Sequence, residues 1–172
     1  MNALERAPRP RAWLALAGWI ALSLSAGIVG AVASIDARDF YARIAKPAWA
    51  PPGSVFGPVW TVLYLLMGTA AWLVWRTVPR TFEALLARRR ALMLFVVQLA
   101  LNALWTWLFF ELRRGVLAFV EIVVLWAAIA ATMTAFWRVH HKATLLLLPY
   151  LAWVSFATAL TWAVWRANPG WL

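Results

Sequence analysis

Apolar residues gather into five blocks along this chain, and the stretches between them hold nearly all the charge. The blocks run from about 13 to 33, 58 to 76, 91 to 110, 116 to 137 and 143 to 165. A bilayer's hydrocarbon core of about 30 Å takes roughly 20 residues of helix, so each block predicts one membrane-spanning helix. The expected fold class is an all-α membrane protein, a five-transmembrane-helix bundle, with residues 1–172 as a single domain. The connections are mostly short and no internal repeat is visible.

The first block follows a basic segment holding Arg6, Arg9 and Arg11. Ala31-Val32-Ala33 has the look of a signal-peptide cleavage site. The apolar core is longer than the roughly 7–15 residues of a signal sequence, so a retained helix is expected. Ser23, Gly27 and Ala31, four apart, predict a face that another helix approaches closely. The longest connection, Ile35 to Phe56, contains Pro47, Pro51 and Pro52, which remove backbone donors and exclude helix interior. Gly57-Pro58 then opens the second block, with proline suited to a helix's first turn. Thr77 to Arg90, with Pro79 and the triplet Arg88-Arg89-Arg90, reads as a polar connection.

Composition changes the picture in two ways. The chain is 65% hydrophobic with 13% charged residues, about half the share usual in a soluble domain. Its net charge of +10 would suggest nucleic acid in a soluble protein, but here the arginines sit between apolar blocks. That placement argues for topology signals and anionic lipid headgroups instead, with no nucleic-acid partner. Ten of the positives fall on the amino-terminal side and six on the other, which places the amino terminus in the cytoplasm. With no cysteine, disulfides, thiolate metal sites and catalytic thiols are excluded.

Candidate chemistry lies inside the blocks. Gln98, Asn102, Trp105 and Phe109 recur at helical spacing and form one stripe. Trp60, Tyr64, Met67 and Ala71 form another, and Tyr150, Trp153, Ala157 and Thr161 a third. Because direction alternates between spans, Trp60, Tyr64, Asn102, Trp105, Ala157 and Thr161 fall in the half nearest the proline-rich loop, with Gly27 and Gly30 of the first block. Two readings remain open. These are helix-packing stripes, or they line an apolar pocket with a few convergent polar groups, fit for a flat hydrophobic ligand under a stiff lid.

Glu121 either handles a proton or ligand or reaches the interface to pair with Arg113 or Arg114, the more ordinary reading. His140-His141 read as a solvated loop, and no metal site is expected. There is no Ser/His/Asp arrangement, no phosphate loop and no paired carboxylate site, so hydrolytic and nucleotide-driven chemistry are not expected.

The order Lys46-Pro47-Ala48-Trp49-Ala50-Pro51-Pro52, then Gly57-Pro58-Val59-Trp60 and Leu63-Tyr64, resembles the translocator protein family, also called tryptophan-rich sensory proteins or peripheral-type benzodiazepine receptors. Gln98-Leu99-Ala100-Leu101-Asn102 with Trp105 and Phe109-Phe110 is similar to its third span. Pro149-Tyr150-Leu151-Ala152-Trp153 with Phe156-Ala157-Thr158 and Val164-Trp165-Arg166 is similar to its fifth. The resemblance implies a membrane protein, often a homodimer, that binds porphyrins and haem-related tetrapyrroles, sterols and synthetic ligands beneath the first loop. No cofactor is required; porphyrin or haem would be a ligand.

The ligand-binding positions implied are Trp49, Pro51, Trp60, Tyr64, Asn102, Trp105, Trp153 and Ala157. Trp49 and Pro51 would form the lid, Trp60 and Trp153 would contact the macrocycle, and Asn102 would donate to a polar substituent. Arg38, Arg43 or Lys46 would meet propionates at the mouth. Bacterial members imply a bacterial cell membrane. Some also suggest an alternative, light- and oxygen-dependent porphyrin breakdown with Trp60 and Trp153 as candidate catalytic residues. Transport is a third possibility. Animal members carry a histidine and a further aromatic where this chain has Ala50, Gly53 and Ser54, and their sterol motif has a tyrosine at the position of Trp162.

Overall fold

The computed structural model describes residues 10–33, 37–170 and 172. Arg6 and Arg9 of the basic segment, and the side chains of Arg11 and Arg38, lie outside the described set. The elements are α1 (Pro10–Val32), α2 (Ala37–Arg43), α3 (Phe56–Arg76), α4 (Phe82–Thr106), α5 (Gly115–Val139) and α6 (His141–Ala167). A 3₁₀ turn, Gly53–Val55, leads into α3, and a π-helical turn, Trp107–Glu111, continues α4. Five of these stretches are long and apolar enough to cross a membrane: Ala12–Val32, Gly53–Arg76, Phe82–Glu111, Gly115–Val139 and His141–Ala167. The expected all-α, five-span architecture is the one observed, and the protein is a multi-pass integral membrane protein.

One boundary differs from the sequence reading. The segment 77–90 is mostly helix, because Thr81 accepts a hydrogen bond from the Ala84 N–H at 3.1 Å and starts α4 at Phe82. Arginine is a good helix former, so Arg88-Arg89-Arg90 extend the helix past the apolar block. Arg88 also turns back to donate to the Trp75 and Thr77 carbonyls at 3.2 and 3.0 Å, closing the end of α3. On the same side, His140 caps α6 by accepting from the Ala143 N–H at 3.3 Å.

α1 packs on α3 and α4, α4 on α5, and α6 on both α3 and α5. Gly68 sets the α1–α3 approach: a Cβ there would stand 2.6 Å from the Ile20 Cα, so only glycine lets the two backbones come this close. The expected small-residue face of α1 needs one correction. Ser23, Gly27 and Gly30 are turned inward while Ala31 is exposed. Steps of four residues overshoot the 3.6-residue turn and drift off the face, whereas a step of four followed by three returns to it.

Candidate functional site

Beneath the 44–56 segment, the three predicted stripes converge. The Tyr64 hydroxyl donates to Asn102 Oδ1 at 2.7 Å, a buried bond between α3 and α4. Trp60 stacks on Tyr64 with ring centroids 5.4 Å apart and meets Tyr150 of α6 at 6.1 Å. A Cβ on Gly27 would run into the Tyr64 ring, and one on Gly30 would meet Thr106 Oγ1 at 3.0 Å. The depth match inferred from alternating chain direction is therefore real for α1, α3 and α4. Met67, Ala71, Gln98, Ala157 and Thr161 are buried, and Trp60, Trp105 and Trp153 are half-buried at the margin of the core.

The lid segment is held at several points. Trp49, half of whose surface is exposed, rests its ring on Phe156 at 5.7 Å. Phe56 meets Trp153 at 5.8 Å, and Trp153 meets Phe156 at 5.5 Å. The Pro51 carbonyl accepts from the Tyr41 hydroxyl at 3.0 Å, and burial raises the pKa of that hydroxyl, favouring the neutral, donating form. These rings touch one another, so a flat ligand must part them to enter.

Asn168, just past α6, is the strongest tether, and the sequence reading missed it. Its Oδ1 accepts from the Ala45 N–H at 2.8 Å, while its Nδ2 donates to the Ala45 and Val164 carbonyls at 2.9 and 2.7 Å. The asparagine is 6% exposed. An amide buried in a span-ending Asn168-Pro169-Gly170 looks like an ordinary helix terminator in sequence. Only the fold shows that it mimics a strand partner for the loop.

A second aromatic group supports α2 from below. Trp105 stacks on Phe109 at 5.2 Å, and Phe40 of α2 meets Phe109 and Phe110, each at 6.2 Å. The π-helical turn rotates Phe109 inward, with the Leu112 N–H bonding the Trp107 carbonyl at 2.8 Å. Arg113, with φ of 49°, lays its guanidinium over Phe40 at 5.3 Å.

Two electrostatic expectations change. Glu121 does not reach the interface to pair with Arg113 or Arg114: it is 7% exposed and neither carboxyl oxygen has a hydrogen-bond partner. Its position faces the bundle, where length alone cannot carry the carboxyl to water. Lys46, expected at the mouth, bonds the Tyr41 and Ile44 carbonyls and lies 4.9 Å from the Tyr41 ring centre, closing the end of α2. Arg43 is exposed beside it. A separate open cleft of about 560 Å³ lies between the α4–α5 turn and the carboxy-terminal residues, lined by Arg113, Arg114, Gly115 and Leu172 among others. None of the eight sequence-assigned site residues lines it.

Among the described residues there is no group of three or more His, Cys, Asp or Glu side chains able to hold a metal. The arrangement offers planar aromatic surface, a hydrogen-bonded tyrosine–amide pair and a tethered cover.

The chain is similar to several known proteins. The chain is 41% identical over 157 residues to the tryptophan-rich protein TspO of Chlorobaculum tepidum, covering 91% of this chain and 97% of that one. It is 42% identical over 132 residues to the human translocator protein, covering 77% and 76%. The protein CrtK of Rhodobacter capsulatus is 39% identical over 145 residues, covering 84% and 87%. Residues 19–166, from the Trp19 turn of α1 to Arg166 at the end of α6, match the TspO/MBR family, and the chain belongs to that family.

Proposed function

We propose that this translocator-type membrane protein binds tetrapyrroles, porphyrins first among them, between α3 and α6 beneath the tethered 44–56 segment. The observation that carries the reading is the run of aromatic rings from Trp49 through Phe156 and Trp153 to Phe56, with the Trp60–Tyr64 stack beside it. Planar rings give a macrocycle large contact area at little entropic cost, and their edges and faces accept either stacked or tilted partners. Asn102 supplies the polar contact: its oxygen is committed to Tyr64, which leaves the amide nitrogen as the donor.

Sterols and synthetic translocator ligands fit the same apolar walls. Among the described side chains Arg43 is exposed and would meet a propionate, whereas Lys46 is engaged with the Ile44 carbonyl at the end of α2. Ligand entry requires the Trp49–Phe156 and Phe56–Trp153 contacts to open.

The test is tryptophan fluorescence during titration of the purified protein with protoporphyrin. Saturable quenching is expected, and most of it should disappear in the Trp60→Phe, Trp153→Phe double variant. Quenching of unchanged depth and midpoint in that variant would remove the site.

A further inference from the structure

The open cleft between the α4–α5 turn and the segment after α6 lies apart from the aromatic site. Its volume of about 560 Å³ falls within the roughly 300–1,000 Å³ of small-molecule sites. It sits at the membrane boundary, because one span ends at Glu111 and the next begins at Gly115. Gly115 shapes its far wall. A Cβ there would stand 2.5 Å from Trp165 Cδ1 and 2.9 Å from the Leu172 Cβ, so glycine lets the segment after α6 close on the start of α5.

Charge and apolar surface meet in this cleft. Arg113 and Arg114 both line it, and Arg113 is anchored by the Phe40 ring 5.3 Å from its guanidinium. A ring occupies the face of a guanidinium and leaves the in-plane N–H donors free. Among the described residues neither arginine side chain has a hydrogen bond or an ion pair. Glu111, the nearest acid in sequence, is exposed and pairs with neither, while Arg166 in the last turn of α6 adds positive charge at the same end of the bundle. The first turn of α5 also borders the cleft, and no side chain caps it, so the helix dipole adds to the same field. From the arginines inward, the cleft continues over Val116 and Leu117 and then along one face of α5 over Val120 and Val124, all about half exposed. Within a span such a face meets acyl chains.

We propose that this cleft binds an anionic phospholipid, with Arg113 and Arg114 on its phosphate and the Val116–Val124 face of α5 against its chains. Guanidinium forks match phosphate oxygens bidentately, and basic pockets at span ends suit phosphorylated headgroups. A choline headgroup would bring its own cation toward Arg113, Arg114 and Arg166, so phosphatidylglycerol is favoured over phosphatidylcholine. The proposal does not rest on tetrapyrrole binding, since the cleft shares no lining residue with the aromatic site.

The test is native mass spectrometry of the purified full chain in detergent, with equimolar dioleoyl-phosphatidylglycerol and dioleoyl-phosphatidylcholine. Retention of phosphatidylglycerol is expected at about tenfold preference. In Arg113→Gln, Arg114→Gln the preference should fall to about twofold or less. Arg80→Gln, Arg89→Gln, which removes the same charge from exposed positions at the opposite end, should keep it. Arg114→Gln alone leaves the Phe40 contact in place and covers the case in which the double variant misfolds; its preference should drop about threefold or more. Glycerol 3-phosphate, which carries the headgroup chemistry without the chains, should not displace the lipid at equal concentration. No preference in the unaltered protein, a preference that survives in Arg114→Gln, or an equal loss in the opposite-end variant overturns the assignment. Displacement by glycerol 3-phosphate would make this a site for free phosphate and overturns the lipid as its occupant.

Discussion

On the amino-terminal side of the bundle, Met67, Ala70, Ala71 and Val74 of α3 share a core with Phe95, Phe136, Ala143 and Leu147, each 1% exposed or less. Thr144 at its margin is satisfied by the Met133 carbonyl at 3.2 Å. On the loop side the same helices carry half-buried tryptophans and a tyrosine–asparagine bond. They also leave unpartnered polar atoms on Trp105, Tyr150 and Glu121. Fully buried aliphatic side chains around the stacked Phe95–Phe136 pair hold the helices together. The loop-side tryptophans are only partly buried and that half keeps unspent hydrogen-bonding capacity, which is what the proposed ligand site calls for. On the function proposed above, stability and recognition are divided along the membrane normal, and a substitution should affect one or the other according to its depth.

The largest effect expected is from Phe95→Ala, which empties the ring that stacks on Phe136 at 6.0 Å and touches Trp19. It should cost about 4 kcal/mol of stability, measured by denaturant unfolding in detergent, while the folded fraction keeps its ligand affinity. Gly68→Ala comes next, at about 3 kcal/mol, because the new methyl meets Ile20 backbone and cannot be relieved by a side-chain turn. Gly57→Ala, with nothing within 4 Å, is its neutral counterpart. Should Phe95→Ala weaken ligand binding as much as stability, the division by depth is wrong.

Asn168→Ala should act on the other side of the comparison. It frees both backbone groups of Ala45 and leaves them to water, at about 2 kcal/mol. The expected signature is local: faster hydrogen exchange at Ala45 and faster tryptic cleavage after Arg43, with both association and dissociation of ligand quickened. A uniform loss of protection through α3 and α5 would instead make Asn168 a global structural residue.

The smallest effect is a pH response of the cover. The Tyr41 hydroxyl donates to the Pro51 carbonyl, and its pKa is raised from 10.0 by burial. The tether is then complete below pH 10.0 and is lost as pH rises through the higher folded value. Tryptic cleavage after Arg43 should increase in that alkaline range, and Tyr41→Phe should show the looser behaviour at every pH. A pH profile identical in the two proteins would take Tyr41 out of the tether.

Five spans were legible because each apolar block matches the thickness of a bilayer. The shared depth of Tyr64, Asn102, Gly27 and Gly30 followed from reversing direction at each turn. Boundaries set by polar residues were harder, as in 82–90, where composition suggests a loop and the Thr81 cap makes a helix. Glu121 was misplaced for a related reason. A carboxylate near a span's end reads as interfacial, and only the rotation of α5 decides whether it faces lipid, water or the bundle. Asn168 was not legible, because its partner Ala45 lies 123 residues away and contributes backbone alone.

The most direct measurement compares two pairs of tryptophans. Protoporphyrin affinity, followed by its absorbance band, should weaken about tenfold or more in Trp60→Phe, Trp153→Phe. It should change less than about twofold in Trp75→Phe, Trp137→Phe, whose rings lie at the amino-terminal side of the bundle. Equal losses in the two variants, or a larger loss in the second, would contradict a ligand site in the loop-side half.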